Sequence, residues 1–200
     1  MSFRKEKKFR LSPSDSMSIK SILLEEGMSP LHPPRYVNSC YFDTADLSMF
    51  KESEEGVLPR KKVRVRWYDH DNKFTKETKI SSIEGRYKIS EKIKECSTID
   101  SVKVINIFDQ LYGMLKPTII VSYQREYYSF QGLRITFDAN ITYKNLRKLS
   151  PQIFRDDECV MEIKVPIGVH DDHIEGLIQH STSRFSKYSR GLLQSDDATY

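Results

Sequence analysis

Lys62, Arg64, Arg66 and Tyr68 recur at every second position, and Val63, Val65 and Trp67 fill the positions between them. Side chains alternate across a strand, so this spacing puts the cations on one face and an apolar triplet on the other. Guanidinium forks bind phosphate oxygens bidentately, which makes a face of stacked arginines suited to a strongly anionic ligand. The split recurs along the chain. Arg4, Glu6, Lys8 and Arg10 share one face. Thr75, Glu77 and Lys79 oppose Phe74 and Ile80, and Arg86, Lys88 and Ser90 oppose Tyr87, Ile89 and Ile93. Arg134, Thr136 and Asp138 oppose Leu133, Ile135 and Phe137. Glu162 and Lys164 oppose Met161, Ile163 and Val165, and Tyr123 shares a face with Arg125.

A solvated face explains the pattern in any single strand. Six strands repeating it, with few of the uncharged polar residues a wet face carries, point instead to one cation-lined interior. Like charges a few ångströms apart repel by several kcal/mol at an effective dielectric of about 20. Glu6, Glu77 and Glu162 offset only part of roughly ten cations, whereas bound phosphate would offset the rest. The same three carboxylates are hard oxygen donors suited to Mg²⁺ or Mn²⁺.

The elements that must hold these faces follow from local signals. Arg4–Leu11 reads as a strand, and Ser12-Pro13-Ser14-Asp15 starts a helix carrying Met17, Ile19, Ile22 and Leu23 that stops near Gly27. Pro30, Pro33 and Pro34 predict an extended loop before a short strand over Tyr36–Phe42. Asp43-Thr44-Ala45-Asp46 caps a brief helix ending near Gly56. Strands follow over Arg60–Tyr68, Lys73–Ile80 and Arg86–Lys94, joined by Asp69-His70-Asp71-Asn72 and by Ser81-Ser82-Ile83-Glu84-Gly85. Apolar residues at 102, 105, 108, 111 and 115 predict an amphipathic helix over Ile99–Leu115. Strands over Thr118–Phe130, Leu133–Tyr143 and Glu158–Pro166 come next. His170–Leu193 reads as helical in pieces, with a frayed tail after it. The expected class is α+β: an eight-stranded antiparallel β-barrel with flanking helices. Residues 1–193 form one domain and 194–200 a C-terminal tail.

Composition bounds the rest. Two hundred residues with 38% apolar and 30% charged content suit one soluble domain, and a net charge of +4 does not by itself call for a polyanion. Distribution carries that signal. No run of 18 apolar residues predicts a spanning helix, and Met1-Ser2-Phe3-Arg4-Lys5 is no secretory leader. Cys40, Cys96 and Cys159, odd in number and far apart, read as reduced buried thiols of a cytoplasmic protein. There is no Gly-rich phosphate loop, G-x-S-x-G or H-E-x-x-H. His170, His173 and His180 read as a surface helix rather than a metal site, Trp67 as core, and Lys5-Glu6-Lys7-Lys8 as strand rather than a nucleic-acid patch.

Ordered motifs sharpen the reading. Arg4-Lys5-Glu6-Lys7-Lys8-Phe9, Ser39-Cys40-Tyr41-Phe42-Asp43-Thr44, Val63-Arg64-Val65-Arg66-Trp67-Tyr68 and Glu77-Thr78-Lys79 are followed by Tyr123-Gln124-Arg125 and Arg134-Ile135-Thr136-Phe137-Asp138. Glu162-Ile163-Lys164 and Arg184-Phe185-Ser186-Lys187-Tyr188 complete the set. In this order they resemble the VTC (vacuolar transporter chaperone) domain of polyphosphate polymerases, within the CYTH-like triphosphate tunnel metalloenzymes. The resemblance implies a basic tunnel that binds ATP phosphates and a growing polyphosphate chain. It implies phosphate-handling roles for Arg64, Arg66, Lys79, Lys88, Arg125, Arg134 and Lys187. On the same resemblance Lys8, Tyr123, Arg184 and Ser186 would bind substrate and Glu162 would hold Mn²⁺ or Mg²⁺, while the charged strand faces add Arg4, Arg86 and Lys164 as substrate-binding candidates and Glu6 and Glu77 as metal-binding ones. Ser186 and Lys187 come from the resemblance alone.

Two departures stand out. Hydrolytic members usually begin Glu-x-Glu-x-Lys, and here Arg4 stands first, which leans toward the polymerase branch. Arg184 stands where the motif more often has lysine. The eukaryotic subunits also carry an SPX domain and membrane helices, so this chain looks more like the freestanding prokaryotic form. Three functions stay open on the residues: phosphoryl transfer from ATP to a phosphate chain, hydrolysis of triphosphate in a tunnel, and non-catalytic binding of phosphate chains. ATP or triphosphate and polyphosphate are the expected partners, nucleic acid is not, and a membrane-protein or other protein partner is left open.

Overall fold

The computed structural model describes residues 5–69, 71–83, 85–165, 178 and 180–197. Arg4, Pro166, His170 and His173 lie outside them. The described chain is mostly antiparallel sheet with a few helices, an α+β protein. Its strands are β1 (Lys5–Leu11), β2 (Ser29–Asp43), β3 (Arg60–Tyr68), β4 (Asp71–Ser82), β5 (Gly85–Lys92), β6 (Ile107–Asp109), β7 (Gly113–Phe130), β8 (Leu133–Asn145), β9 (Ile153–Arg155) and β10 (Cys159–Val165). The helices are α1 (Pro13–Glu25), α2 (Ser48–Glu55), α3 (Ile99–Val104) and α4 (Lys187–Asp197). Hydrogen bonding orders the strands β1-β10-β8-β7-β2-β3-β4-β5, with β6 on β7 and β9 on β8.

Two compact units interleave along the sequence. The first comprises residues 1–35, 123–141 and 156–185. In it the apolar parity of each strand forms a core: Phe9 and Leu11 of β1, Met161 and Ile163 of β10, and Ile135 and Phe137 of β8 pack with Leu23 of α1. Ser12 caps α1 by accepting from the Asp15 backbone N–H at 3.0 Å, and Gly27, at φ 101°, follows the helix end. Leu23 is buried as expected, but Met17 and Ile22 point outward.

The second unit comprises residues 36–122, 142–155 and 186–200. Cys40 and Phe42 of β2 and Val63, Val65 and Trp67 of β3 form its core with Met49 of α2 and Val102 of α3. The start of α2 is held from outside the helix: the Asp43 carboxylate accepts from the backbone N–H groups of Met49 at 3.0 Å and Phe50 at 2.9 Å. The three cysteines are free and buried. No described helix is long and apolar enough to cross a membrane.

The structure corrects several expectations. The helix predicted over Ile99–Leu115 ends at Val104. The Asp109 side chain accepts from the backbone N–H of Leu111 and of Tyr112, and Gly113 takes φ 73°, so the segment turns back as the β6–β7 hairpin. The proline segment is no loop but the exposed first half of β2. The β2–β3 register runs from Val37 to Phe42, so the three prolines lie outside it and their missing N–H groups cost it nothing. Eight strands make up the main hydrogen-bonded order, about the number expected, and among the described residues the three-residue β6 and β9 add short pairings on β7 and β8. The apolar parity of β5 is not covered: Ile89 is 50% exposed. Helix α4 continues through residues 194–197, and Ser195 is buried and accepts from Asn145 at 2.9 Å.

Gly191 lets α4 lie against the sheet. A Cβ there would stand 2.5 Å from Tyr143 Cδ1 and 2.8 Å from Ile119 Cδ1, below van der Waals contact. Gly191→Ala is therefore expected to destabilise by about 1–3 kcal/mol despite its better helix propensity, measurable by urea denaturation.

Candidate functional site

In the second unit the register sets a cationic checkerboard. Arg66 pairs with Ser39 and Thr75, Arg64 with Tyr41 and Glu77, Lys62 with Lys79, and Lys79 with Lys88. Arg86 lies opposite Ser81, one row beyond. Glu77 is the acid at the centre. Its Oε2 accepts from Arg64 Nε at 2.7 Å and Nη2 at 2.5 Å, and its Oε1 accepts from Lys88 Nζ at 2.7 Å. Arg66 Nη1 stands 3.8 Å from the same carboxylate. Burial alone would push the Glu77 carboxyl up, but the guanidinium groups of Arg64 and Arg66 and the Lys88 ammonium hold it well below the usual carboxylate range. Arg64 is buried, whereas Lys79, Arg86 and Lys88 are exposed. Lys62 Nζ donates to Ser186 Oγ at 2.8 Å, which brings the residue before α4 to this face beside Lys187.

A second charged face lies in the first unit. Register places Glu6 opposite Lys164 and Lys8 opposite Glu162, then Lys164 opposite Arg134 and Glu162 opposite Thr136. Lys164 Nζ stands 3.5 Å from Glu162 Oε1 and 3.6 Å from Glu6 Oε1. Arg125 grips Asp138 with two hydrogen bonds of 2.5 and 2.7 Å and lies over the Tyr123 ring, and Arg134 lies over Tyr127. Burial would raise the Glu162 carboxyl, yet Arg125, Lys8 and Lys164 together depress it. Buried Arg134 Nε and Thr136 Oγ1 have no hydrogen-bond partner, an uncommon state that a ligand oxygen on this face would relieve. Lys8 Nζ donates to the Phe185 carbonyl at 3.0 Å, next to exposed Arg184.

The carboxylates differ in fitness for a cation. Glu6 and Glu162 both face the Lys164 ammonium at 3.6 and 3.5 Å, looser contacts than those of Glu77, so a divalent cation there would compete with one lysine for their oxygens. Both oxygens of Glu77 are already taken by protein cations. Among the described residues no three His, Cys, Asp or Glu side chains gather as a metal cluster. Residues outside the candidate set also shape the faces. Tyr41 and Ser39 were legible from the alternation of Ser39-Cys40-Tyr41-Phe42, whereas Tyr127 carried no charge signal.

Depressed carboxyls give the fold a signed pH dependence. Native Glu77 and Glu162 bind fewer protons than their unfolded forms, so their contribution is fully present above the unfolded value of about 4.3. It is lost as pH falls from there through the lower native values. Urea midpoints are expected to drop below about pH 4.3, with a shallower drop in Glu162→Gln.

The class the structure defines is an antiparallel α+β sheet with cation-rich strand faces. The VTC domain model matches residues 3–195, and the chain belongs to that family, as its ordered motifs indicate. No curated protein sequence matches it. Solved structures share its fold at low identity. A Pyrococcus horikoshii OT3 protein is 13% identical over 94% of this chain and 98% of its own, with a TM-score of 0.58. An adenylate cyclase candidate from Vibrio parahaemolyticus is 13% identical over 96% and 98%, with a TM-score of 0.55. A Hippeastrum adenylyl cyclase candidate with dominant triphosphatase activity is 15% identical over 97% and 96%, with a TM-score of 0.53.

Proposed function

We propose that this protein transfers phosphoryl groups from ATP to a phosphate chain in a basic, eight-stranded tunnel of the kind the motif resemblance implies. The observation that carries the reading is the concentration of Lys62, Arg64, Arg66, Lys79, Arg86 and Lys88 on one strand face, with Glu77 ion-paired among them. A strand face this rich in cations attracts and can align a polyanion. Arg64, Arg66, Lys79, Lys88, Arg125, Arg134 and Lys187 would neutralise and align the transferring phosphoryl, with Arg4, Lys8, Arg86, Tyr123, Lys164, Arg184 and Ser186 holding the chain. Positioning and charge neutralisation supply the catalysis, and no protein nucleophile is needed because the acceptor is itself a phosphate. Glu162 with Glu6 would hold Mn²⁺ or Mg²⁺, whose positive charge would lower the cost of charge developing on the phosphoryl oxygens. Glu77 serves this reading better as the ion-pair centre of the arginine face.

A tunnel triphosphatase is the second reading, favoured by the triphosphatase activity of the Hippeastrum neighbour. Both readings require tight triphosphate binding. Tripolyphosphate at about a hundredfold excess over Kd is expected to stabilise the fold by about 2.7 kcal/mol, less at high salt. A melting curve unmoved by millimolar tripolyphosphate at low salt would remove both.

A further inference from the structure

Arg64 is held by a carboxylate along one edge and by the Tyr41 hydroxyl at another, and its guanidinium lies over the ring of that same tyrosine. Along the Nε–Nη2 edge it meets Glu77; at Nη1 it donates to the Tyr41 hydroxyl at 3.0 Å. Tyr41 sits opposite Arg64 in the β2–β3 register and is buried. Its ring is in turn fixed from behind. Tyr188 of α4 stacks on it, with ring centroids 5.0 Å apart and planes 16° apart. Tyr188 also donates to Asp43 Oδ2 at 2.5 Å, the carboxylate that receives the first N–H groups of α2, and Phe50 of α2 meets Tyr188 edge-on. Asp43, Tyr188 and Tyr41 thus form a continuous buried support ending on one guanidinium.

We propose that Tyr41 is a positioning residue, which fixes the plane of Arg64 for an incoming phosphate through its hydroxyl and is itself held by the stack with Tyr188. The inference rests on the phosphate-binding reading. A guanidinium restrained at two edges loses less freedom when it meets an anion than one restrained at a single edge, so the support is felt as affinity. Glu77 alone leaves the guanidinium able to swing about its contact with that carboxylate. The hydroxyl closes that freedom without adding a negative charge that would compete with phosphate. The cations around Tyr41, which are Arg64 first and then Arg66 and Lys62, outweigh burial and lower its phenol below the ordinary tyrosine value. They strengthen it as a partner for Arg64, with Glu77 and Asp43 the nearby acids on the adjoining elements.

The test is a double-mutant cycle read by calorimetric titration with tripolyphosphate, on wild type, Tyr41→Phe, Arg64→Gln and the double variant. Phenylalanine keeps the ring and hence the stack on Tyr188. Tyr41→Phe is expected to weaken binding about tenfold, which is the loss of one charge-assisted hydrogen bond. In the Arg64→Gln background the same change is expected to alter Kd less than about twofold, because the residue through which Tyr41 acts is gone. A purely structural role for Tyr41 would weaken both backgrounds alike, and that result would overturn the inference, as would an unchanged Kd in the single variant. If Tyr41→Phe proved unfolded, Tyr188→Leu would supply the test. It keeps the Tyr41 hydroxyl but removes its backing, and is expected to lower affinity in the presence of Arg64 only. Wild-type protein that failed to bind tripolyphosphate would instead sink the phosphate-binding reading on which the inference stands.

Discussion

Glu77→Gln is expected to destabilise the free protein by about 3–5 kcal/mol, the cost of stripping the partner from a buried charge. The carboxylate takes Arg64 at two nitrogens and Lys88 at a third, and Arg66 stands 3.8 Å away. Glutamine keeps the shape and leaves those cations facing one another. The loss should be largely restored by tripolyphosphate, because phosphate oxygens can take over the cations that the carboxylate held. Denaturant midpoints measured with and without tripolyphosphate check both halves. A variant as stable as wild type in the free state would show that the cations of this face are adequately solvated, and would weaken the case for a face that needs an anion.

Glu162→Gln is expected to separate binding from turnover. Glu162 is buried on the first unit's charged face, with Lys164 3.5 Å away and Lys8 opposite it in register. Removing its charge leaves more net positive charge for a bare phosphate chain, so tripolyphosphate affinity should hold or improve. The same change weakens the carboxylate pair proposed to hold a divalent cation, and turnover should fall at least about a hundredfold, since Lewis-acid stabilisation is worth several kcal/mol. Calorimetric titration and a Mn²⁺-dependent turnover assay on one preparation give both numbers. Normal turnover would remove Glu162 from the metal assignment.

How far the sequence could be read depended on whether neighbours in the chain or neighbours in space decide a residue's state. Strand β3 is found at Arg60–Tyr68, the bounds expected, because alternation of cations with Val63, Val65 and Trp67 leaves no competing period. The spacing of residues 102, 105, 108, 111 and 115 is helical in period, yet only Val102 and Leu115 of Val102, Phe108, Leu111 and Leu115 are buried. There the Asp109 side chain and Gly113 impose a turn that a hydrophobic period does not register. The Ser12 cap marks the start of helix α1, but Ser16 and not Met17 joins Leu23 on the buried side. The cations of the candidate site were visible because each lies on a charged parity. Their pairing was not. That Glu77 would be taken by Arg64 and Lys88, or that Tyr41 would be backed by Tyr188, depends on strand register and on a helix far along the chain.

Incubating the purified protein with ATP and Mn²⁺, then resolving long phosphate chains from orthophosphate, tests the central claim most directly. The account predicts chains that lengthen with time while ADP accumulates. Release of orthophosphate alone, from ATP or from tripolyphosphate, with no chain growth, would contradict it and make the protein a hydrolase.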